Sequence, residues 1–310
     1  MIAPLICAVL AAFAAIAPVA HAQSPAALEL ARKVPIADVH MHLTRGQPAS
    51  WYVAQMDRNG VRWGGGVGGG PRDAPLDIGR ALGGRHITAL GQTEFFGVFF
   101  AQGTAGLVDD AHPIFQRLFA QAQSAFANGQ ARGFGELHIN NMSPFSPAGT
   151  QRRIPLDSPV VNRMFAIANR HGGFVQIHTM KANGLDEILI MAARYPRVRV
   201  ILSHCLPGAS PEDIAFLFTR RPNIFCELSA QGPTHGVQRV FTPEGLRPAW
   251  RDVIVAHPTR FMVGTDPCCG HEGRYDQLIR EARELLLAYL PPAVIPRVAY
   301  QNAVRELRLK

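Results

Sequence analysis

Lysine is almost missing from this chain: of 31 basic residues only Lys33, Lys181 and Lys310 are lysines, and arginine carries the rest. The arginines are dispersed along the sequence and form no basic run. The net charge of +8 therefore reads as a solvated, arginine-biased surface, with no nucleic acid expected as partner and an anionic small-molecule substrate still compatible. Cysteine is also scarce, five in 310 residues, and no Cys-x-x-Cys pair occurs, which excludes a zinc ribbon and a thioredoxin-like redox site. After the first 22 residues no apolar run approaches membrane-spanning length.

Those 22 residues contain no Lys, Arg, Asp or Glu and finish in Ala20-His21-Ala22. The composition reads as a secretory signal peptide cleaved after Ala22, which predicts a periplasmic or secreted protein with no stable membrane insertion once the signal is gone. An uncleaved anchor is the alternative, because a basic n-region is missing and the apolar stretch is nearly long enough to span. Export would carry Cys205, Cys226, Cys268 and Cys269 into an oxidising compartment, and their spacing fits two disulfides or free buried thiols equally well.

Residues 23 to 310 read as a single domain in which short apolar runs alternate with helical periodicity. Eight strand candidates can be counted, at 35 to 43, 61 to 67, 86 to 93, 132 to 138, 173 to 179, 198 to 204, 223 to 229 and 260 to 266. Eight βα units predict the α/β class and a closed (β/α)8 TIM barrel. Val161, Met164, Phe165 and Ala168 share a helix face, as do Leu185, Ile188, Leu189 and Ala192, and both faces should pack on the barrel. Segments 94 to 110 and 139 to 156 read as loops over its mouth.

The chemistry begins at His40-Met41-His42, which closes the first apolar run. Side chains two apart on a strand share a face, about 6.6 Å apart along it, so both imidazoles can turn to one ion. Four other candidate strands also carry a polar residue at their ends: Glu136, His178, His204 and Asp266. In a barrel of parallel strands these ends gather at the C-terminal face, where active sites of this architecture are built. Such imidazoles and carboxylates make an N/O site for one or two divalent ions, zinc first, with manganese, iron or nickel as competitors.

The ordered set Asp38-Val39-His40-Met41-His42, Gly135-Glu136, His178, His204, Gly264-Thr265-Asp266-Pro267 and Asn302-Ala303-Val304-Arg305 resembles the amidohydrolase superfamily. The likeness is to its amidohydrolase-2 branch, related to the aminocarboxymuconate-semialdehyde decarboxylases, and it covers nearly the whole mature chain. It implies His40, His42, His178 and His204 as metal ligands and Asp266 as both ligand and proton-transferring acid, with His204 also catalytic. Many binuclear relatives carry a carbamylated lysine on the fourth strand; here that position is Glu136, which would bridge two ions or sit beside one.

The implied function is hydrolysis of a carbonyl-centred bond (amide, lactone or ester) by a metal-activated water, with Asp266 shuttling the proton. Non-oxidative decarboxylation or hydration of a small carboxylate at the same site is the alternative. A nuclease similar to the TatD enzymes is disfavoured, because Leu137-His138-Ile139-Asn140 replaces their Gly-Leu-Asp. An exported binding protein without turnover is the reading from another class. The substrate is expected to be a small molecule, and the sequence leaves homo-oligomerisation open. Among weaker candidates, Lys181 is read as facing a substrate carboxylate or as a plain surface residue, and His138, His235 and His271 as rim histidines. Gly64 to Gly70 lacks the companions of a phosphate loop and reads as flexible backbone or a close approach to a ligand.

Overall fold

The computed structural model describes residues 23–43, 46–69, 74–142, 146 and 148–310. The signal peptide expected at 1 to 22 lies outside them. Eleven strands follow in order among the described residues: β1 Ile36–Asp38, β2 Val61–Gly65, β3 His86–Ile87, β4 Ala89–Gly91, β5 Gly133–His138, β6 Phe174–His178, β7 Arg199–Leu202, β8 Ile224–Glu227, β9 Phe241–Thr242, β10 Gly245–Leu246 and β11 Phe261–Met262.

Hydrogen bonding orders them β1-β2-β3 and β4-β5-β6-β7-β8-β11, with every pair in these two sheets parallel. β3 and β4 form one stave, interrupted only at Thr88. At the other seam Val39 N–H donates to the Val263 carbonyl (3.0 Å) and Asp266 N–H to the His40 carbonyl (2.8 Å), which closes the ring. The result is an eight-staved parallel barrel, and each of the eight runs anticipated from sequence holds one stave. β9 and β10 pair antiparallel as a small hairpin apart from the barrel.

Each strand alternates between two environments, as the period of two requires. On β7, Val200 and Leu202 pack outward against the helices while Ile201 joins Phe174, Phe225 and Met262 inside the barrel. One step up toward the C-terminal end, the inward positions become polar: Gln176 follows Phe174 on β6, and Glu227 follows Phe225 on β8. A dry floor thus supports a polar layer, and the layer supports the site.

The helix Pro159–His171 buries Val161, Met164, Phe165 and Ala168 as the periodicity predicts. In Leu185–Arg194, Ile188 and Ala192 are buried while Leu185 and Leu189 are half-buried against the same core. Segment 94 to 110, expected as a loop, is instead part of the helix Gln92–Val108, interrupted at Gly103 (φ 65°, ψ −157°). Phe95, Phe96, Phe99 and Phe100 on one side with Val98 and Ala101 on the other leave little polar contrast to mark its helical period. Burial of Phe95, Val98 and Leu107 outweighs the weak local signal. No helix among the described residues is long and apolar enough to cross a membrane.

The glycine run that ends β2 approaches protein backbone at Gly66 and Gly68, while Gly69 borders the cavity at the barrel mouth, where the sequence placed a close approach to a ligand. Gly66 has φ +82°, and a Cβ built there would stand 2.0 Å from the Val39 carbonyl oxygen. Gly68 N–H donates to the Gly135 carbonyl at 2.6 Å. Gly66→Ala is expected to destabilise the fold by about 3 kcal/mol, because the clash is with backbone and the left-handed angle adds strain. Urea denaturation checks this, and a midpoint within error of the parent chain would contradict it.

Candidate metal centre

Six side chains anticipated from sequence meet at the C-terminal end of the barrel. His40 and His42 lie just beyond β1, His204 beyond β7 and Asp266 beyond β11, while Glu136 and His178 are on β5 and β6. Strand pairing stops early at these ends because the chain must turn there. His204 (φ 55°) and Asp266 (φ 57°) both adopt the left-handed conformation, which is uncommon for residues with a side chain and is held here by surrounding hydrogen bonds.

Donor atoms converge in two sets around Glu136. On one side His40 Nε2 lies 3.2 Å from His42 Nε2, 3.5 Å from Asp266 Oδ1 and 3.5 Å from Glu136 Oε2. His42 Nε2 stands 3.1 Å from Asp266 Oδ1 and 4.0 Å from Glu136 Oε2. On the other side Glu136 Oε1 lies 3.1 Å from His178 Nδ1 and 3.3 Å from His204 Nε2. Asp266 Oδ1 is buried with no hydrogen bond directed at it, although two imidazole nitrogens lie within 3.5 Å. The ligand atoms of His40, His42 and Asp266 all lie within 4.8 Å of one another, close enough to hold one ion.

Electrostatics lead to the same place. Three buried carboxylates, Glu136, Glu227 and Asp266, require compensating positive charge. Imidazolium supplies part of it: burial alone would lower His40, but Glu136, Glu227 and Asp266 raise it well above the ordinary histidine value. The buried Arg152 guanidinium is a further cation attracted to Glu136. Burial likewise opposes ionisation of Glu136 and of Asp266. For Glu136 the charges of His138 and His40, and for Asp266 first that of His40, outweigh it and hold each carboxyl well below the usual range. A divalent cation answers the same demand with one charge centre, so the residues fit such an ion.

The structure also reveals partners that sequence reading missed. Glu227, fully buried, accepts from His40 Nδ1 (2.9 Å), His204 N–H (2.5 Å), Ser229 N–H (2.8 Å) and the Ser229 hydroxyl (3.0 Å). The Gln176 amide oxygen faces His40 Nδ1 at 3.0 Å while its nitrogen donates to the Gly66 and Val39 carbonyls. With acceptors on Nδ1, His40 keeps its proton there and turns the Nε2 lone pair into the site. Asp38 ties β1 to the end of β11, accepting from Thr265 Oγ1 (2.5 Å), Thr265 N–H (3.0 Å), His40 N–H (3.1 Å) and Tyr275 Oη (3.1 Å). Burial pushes its carboxyl up to about 6 despite these donors. Glu227 was findable: it is a polar residue ending an apolar strand, the feature that marked His178 and Asp266.

The weaker candidates are also placed. Lys181 forms an ion pair with Asp213 at 2.6 Å, which corrects the substrate-facing expectation and leaves the surface alternative. His138 Nε2 donates to Glu136 Oε2 (2.9 Å), and its ring lies parallel on His178 with centroids 4.6 Å apart. Burial lowers it to about 4, against the pull of Glu136. His235 Nε2 donates to the Asp266 carbonyl at 3.0 Å, and its ring meets His271 at 4.5 Å. Of the cysteines, Cys205 and Cys226 are joined in a disulfide while Cys268 and Cys269 are free. These two thiols border a cavity of about 940 Å3 that opens onto the donors, with Leu43, Phe96 and Pro267 supplying apolar wall and Gln92, Asn141 and Thr150 polar wall.

The Amidohydrolase family model matches residues 37–309. No curated protein matches the chain. Among solved structures, a protein assigned as a 2-pyrone-4,6-dicarboxylic acid hydrolase from Pseudomonas putida is 16% identical, covers 89% of this chain and 98% of its own, and superposes with a TM-score of 0.55. A 2,6-dihydroxybenzoate decarboxylase is 11% identical over 89% of this chain and 99% of its own, with a TM-score of 0.54. An uncharacterised TIM-barrel protein from Bordetella bronchiseptica is 16% identical over 84% and 82% of the two chains, with a TM-score of 0.53. At such identities the likeness is one of fold, and it agrees with the closed ring of eight parallel staves. With the family match running from β1 to the last turn of the chain, this protein belongs to the amidohydrolase family.

Proposed function

We propose that the chain is a metal-dependent hydrolase acting on a carbonyl-centred bond, an amide, lactone or ester, of a small molecule. The observation that carries this reading is the place of Glu136 between two donor sets, Oε2 bonded by His138 and 3.5 and 4.0 Å from His40 and His42, and Oε1 beside His178 and His204. Most donor separations in these sets are near the edge of about 3.4 Å that tetrahedral bonds of about 2.1 Å require. Glu136 would thus stand in for a carbamylated lysine as a bridge. Imidazole and carboxylate donors favour zinc, with manganese as the main competitor.

A divalent ion held there would act as a Lewis acid and lower the pKa of a water to about 7. Asp266 keeps Oδ1 with the imidazoles and leaves Oδ2, 3.9 Å from His204 Nε2, to take a proton from the attacking water and return it to the leaving group. Glu227 and Gln176 hold the His40 ring in the tautomer that directs Nε2 inward. Phe96 and Leu43 offer an apolar wall against which the substrate body can exclude water.

The test pairs metal analysis with a panel of lactones, acyl-amides and aromatic carboxylates. The purified chain is expected to hold two ions, to lose turnover on dialysis against a chelator, and to regain it with zinc or manganese. Unchanged turnover in the metal-free chain would overturn the reading. Release of carbon dioxide from a carboxylate, with no hydrolysis of the lactones, would replace it by non-oxidative decarboxylation. Export draws support from the Cys205–Cys226 disulfide, a bond that persists in oxidising compartments, and N-terminal sequencing of periplasmic protein tests it.

A further inference from the structure

Arginines that are dispersed in sequence are not dispersed in space. Arg132 precedes β5, Arg199 opens β7 and Arg260 precedes β11, so all three stand at the N-terminal end of the barrel, opposite the metal centre. Arg197 stands just before β7, and Arg305 and Arg308 come from the final helical segment, which packs beneath the barrel. The six are contiguous: Arg132 Nη1 donates to the Arg308 carbonyl at 2.8 Å, Arg199 Nη1 to the Arg197 carbonyl at 2.9 Å, and Arg305 Nη2 to the Thr259 carbonyl at 3.3 Å, beside Arg260. Glu306 is the acid within this group, bound to Arg199 Nε (3.4 Å) and Arg305 Nε (2.7 Å). Six cations against one carboxylate leave a net +5 on this patch, out of +8 for the chain.

The barrel topology concentrates such charge. Every helix that follows a strand runs back down, so helix C-termini collect at this end, and each favours a cation. That accounts for single arginines at helix ends. It does not account for cations set side by side: burial and then the charge of Arg308 depress Arg132, and burial and then Arg305 depress Arg260 against the pull of Glu306. Arg197, Arg305 and Arg308 are exposed, and Arg197 has no side-chain partner among the described residues.

We propose that this basal face docks the protein on an anionic phospholipid surface. The guanidinium fork matches phosphate oxygens, Arg197, Arg199 and Arg308 border a cavity of about 370 Å3 at this barrel end that a phosphate headgroup can enter, and docking here leaves the mouth of the metal centre facing away from the bilayer. A single-stranded nucleic acid would call for exposed aromatic platforms along a track. Phe225, under Arg260, and Phe126 and Phe174, which line a cavity with Arg132 and Arg308, are all buried.

Co-sedimentation of the full chain with phosphatidylglycerol vesicles, phosphatidylcholine vesicles and vesicle-free DNA tests the proposal. Binding is expected to phosphatidylglycerol only, and to be lost at high salt. Arg197→Glu combined with Arg308→Glu should weaken it at least about 30-fold, at about tenfold or less per neutralised cation plus the added repulsion, without changing metal content. Arg197→Glu alone is the fallback, since that exposed side chain holds nothing in place. Equal, salt-independent binding to both lipids would mean the apolar N-terminal residues insert, and would overturn the proposal. So would preference for DNA, no vesicle binding, or full binding by the variants.

Discussion

Glu227→Ala is expected to weaken metal binding by about 10–100-fold and to destabilise the fold by about 3–5 kcal/mol. The two effects share one cause. Glu227 touches no point where an ion would sit, yet it accepts four hydrogen bonds from His40, His204 and Ser229 in a fully buried position. Removing it strands two backbone N–H groups and leaves the His40 ring free to change tautomer or rotate, so Nε2 no longer points reliably into the site. Glu227→Gln should be milder, because the amide oxygen can still accept from His40 and the His204 N–H, and the bond lost is the one from the Ser229 N–H, which an amide nitrogen cannot accept. Competition titration with a chromophoric chelator reads the affinity and urea unfolding reads the stability. Parental values for both in Glu227→Ala would refute this support role.

For Asp266→Asn the expected loss is in turnover, about 10²–10⁴-fold in kcat, with metal content close to the parent and little change in KM. The asparagine oxygen can still lie beside His42, but the amide nitrogen cannot take a proton from water or return one to the leaving group. Its backbone constraints are unaffected: the Asp266 N–H bond to the His40 carbonyl and the His235 bond to the Asp266 carbonyl do not involve the side chain. Steady-state kinetics on a substrate from the panel, with metal measured on the same sample, decides the matter. A normal kcat would remove Asp266 from the proton path.

Much of this was legible before any coordinates. Eight apolar runs gave eight staves, because strand burial in a closed parallel sheet leaves a periodic trace in the chain. His178 and Glu136 stood out because an apolar strand has no packing use for them. The same rule passed over Glu227, since attention went to residues that could ligate and not to those that orient ligands. Segment 94 to 110 was lost for a different reason: phenylalanines at 95, 96, 99 and 100 share one side, but Val98 and Ala101 make the other side apolar too, and no 3.6-residue contrast survives. Lys181 was misjudged as a substrate contact because its partner Asp213 lies 32 positions away on another helix.

The sequence by itself determined the barrel, the order of its staves and the identity of the donors, because local patterning of apolar and polar residues dictates which side chains end each strand. Only the tertiary structure decided which oxygen of Glu136 faces which histidines, that Glu227 and Gln176 set the tautomer of His40, and that arginines far apart in the chain share one face. Those are distances between residues remote in sequence. They come into being when the ring closes, and no local pattern encodes them.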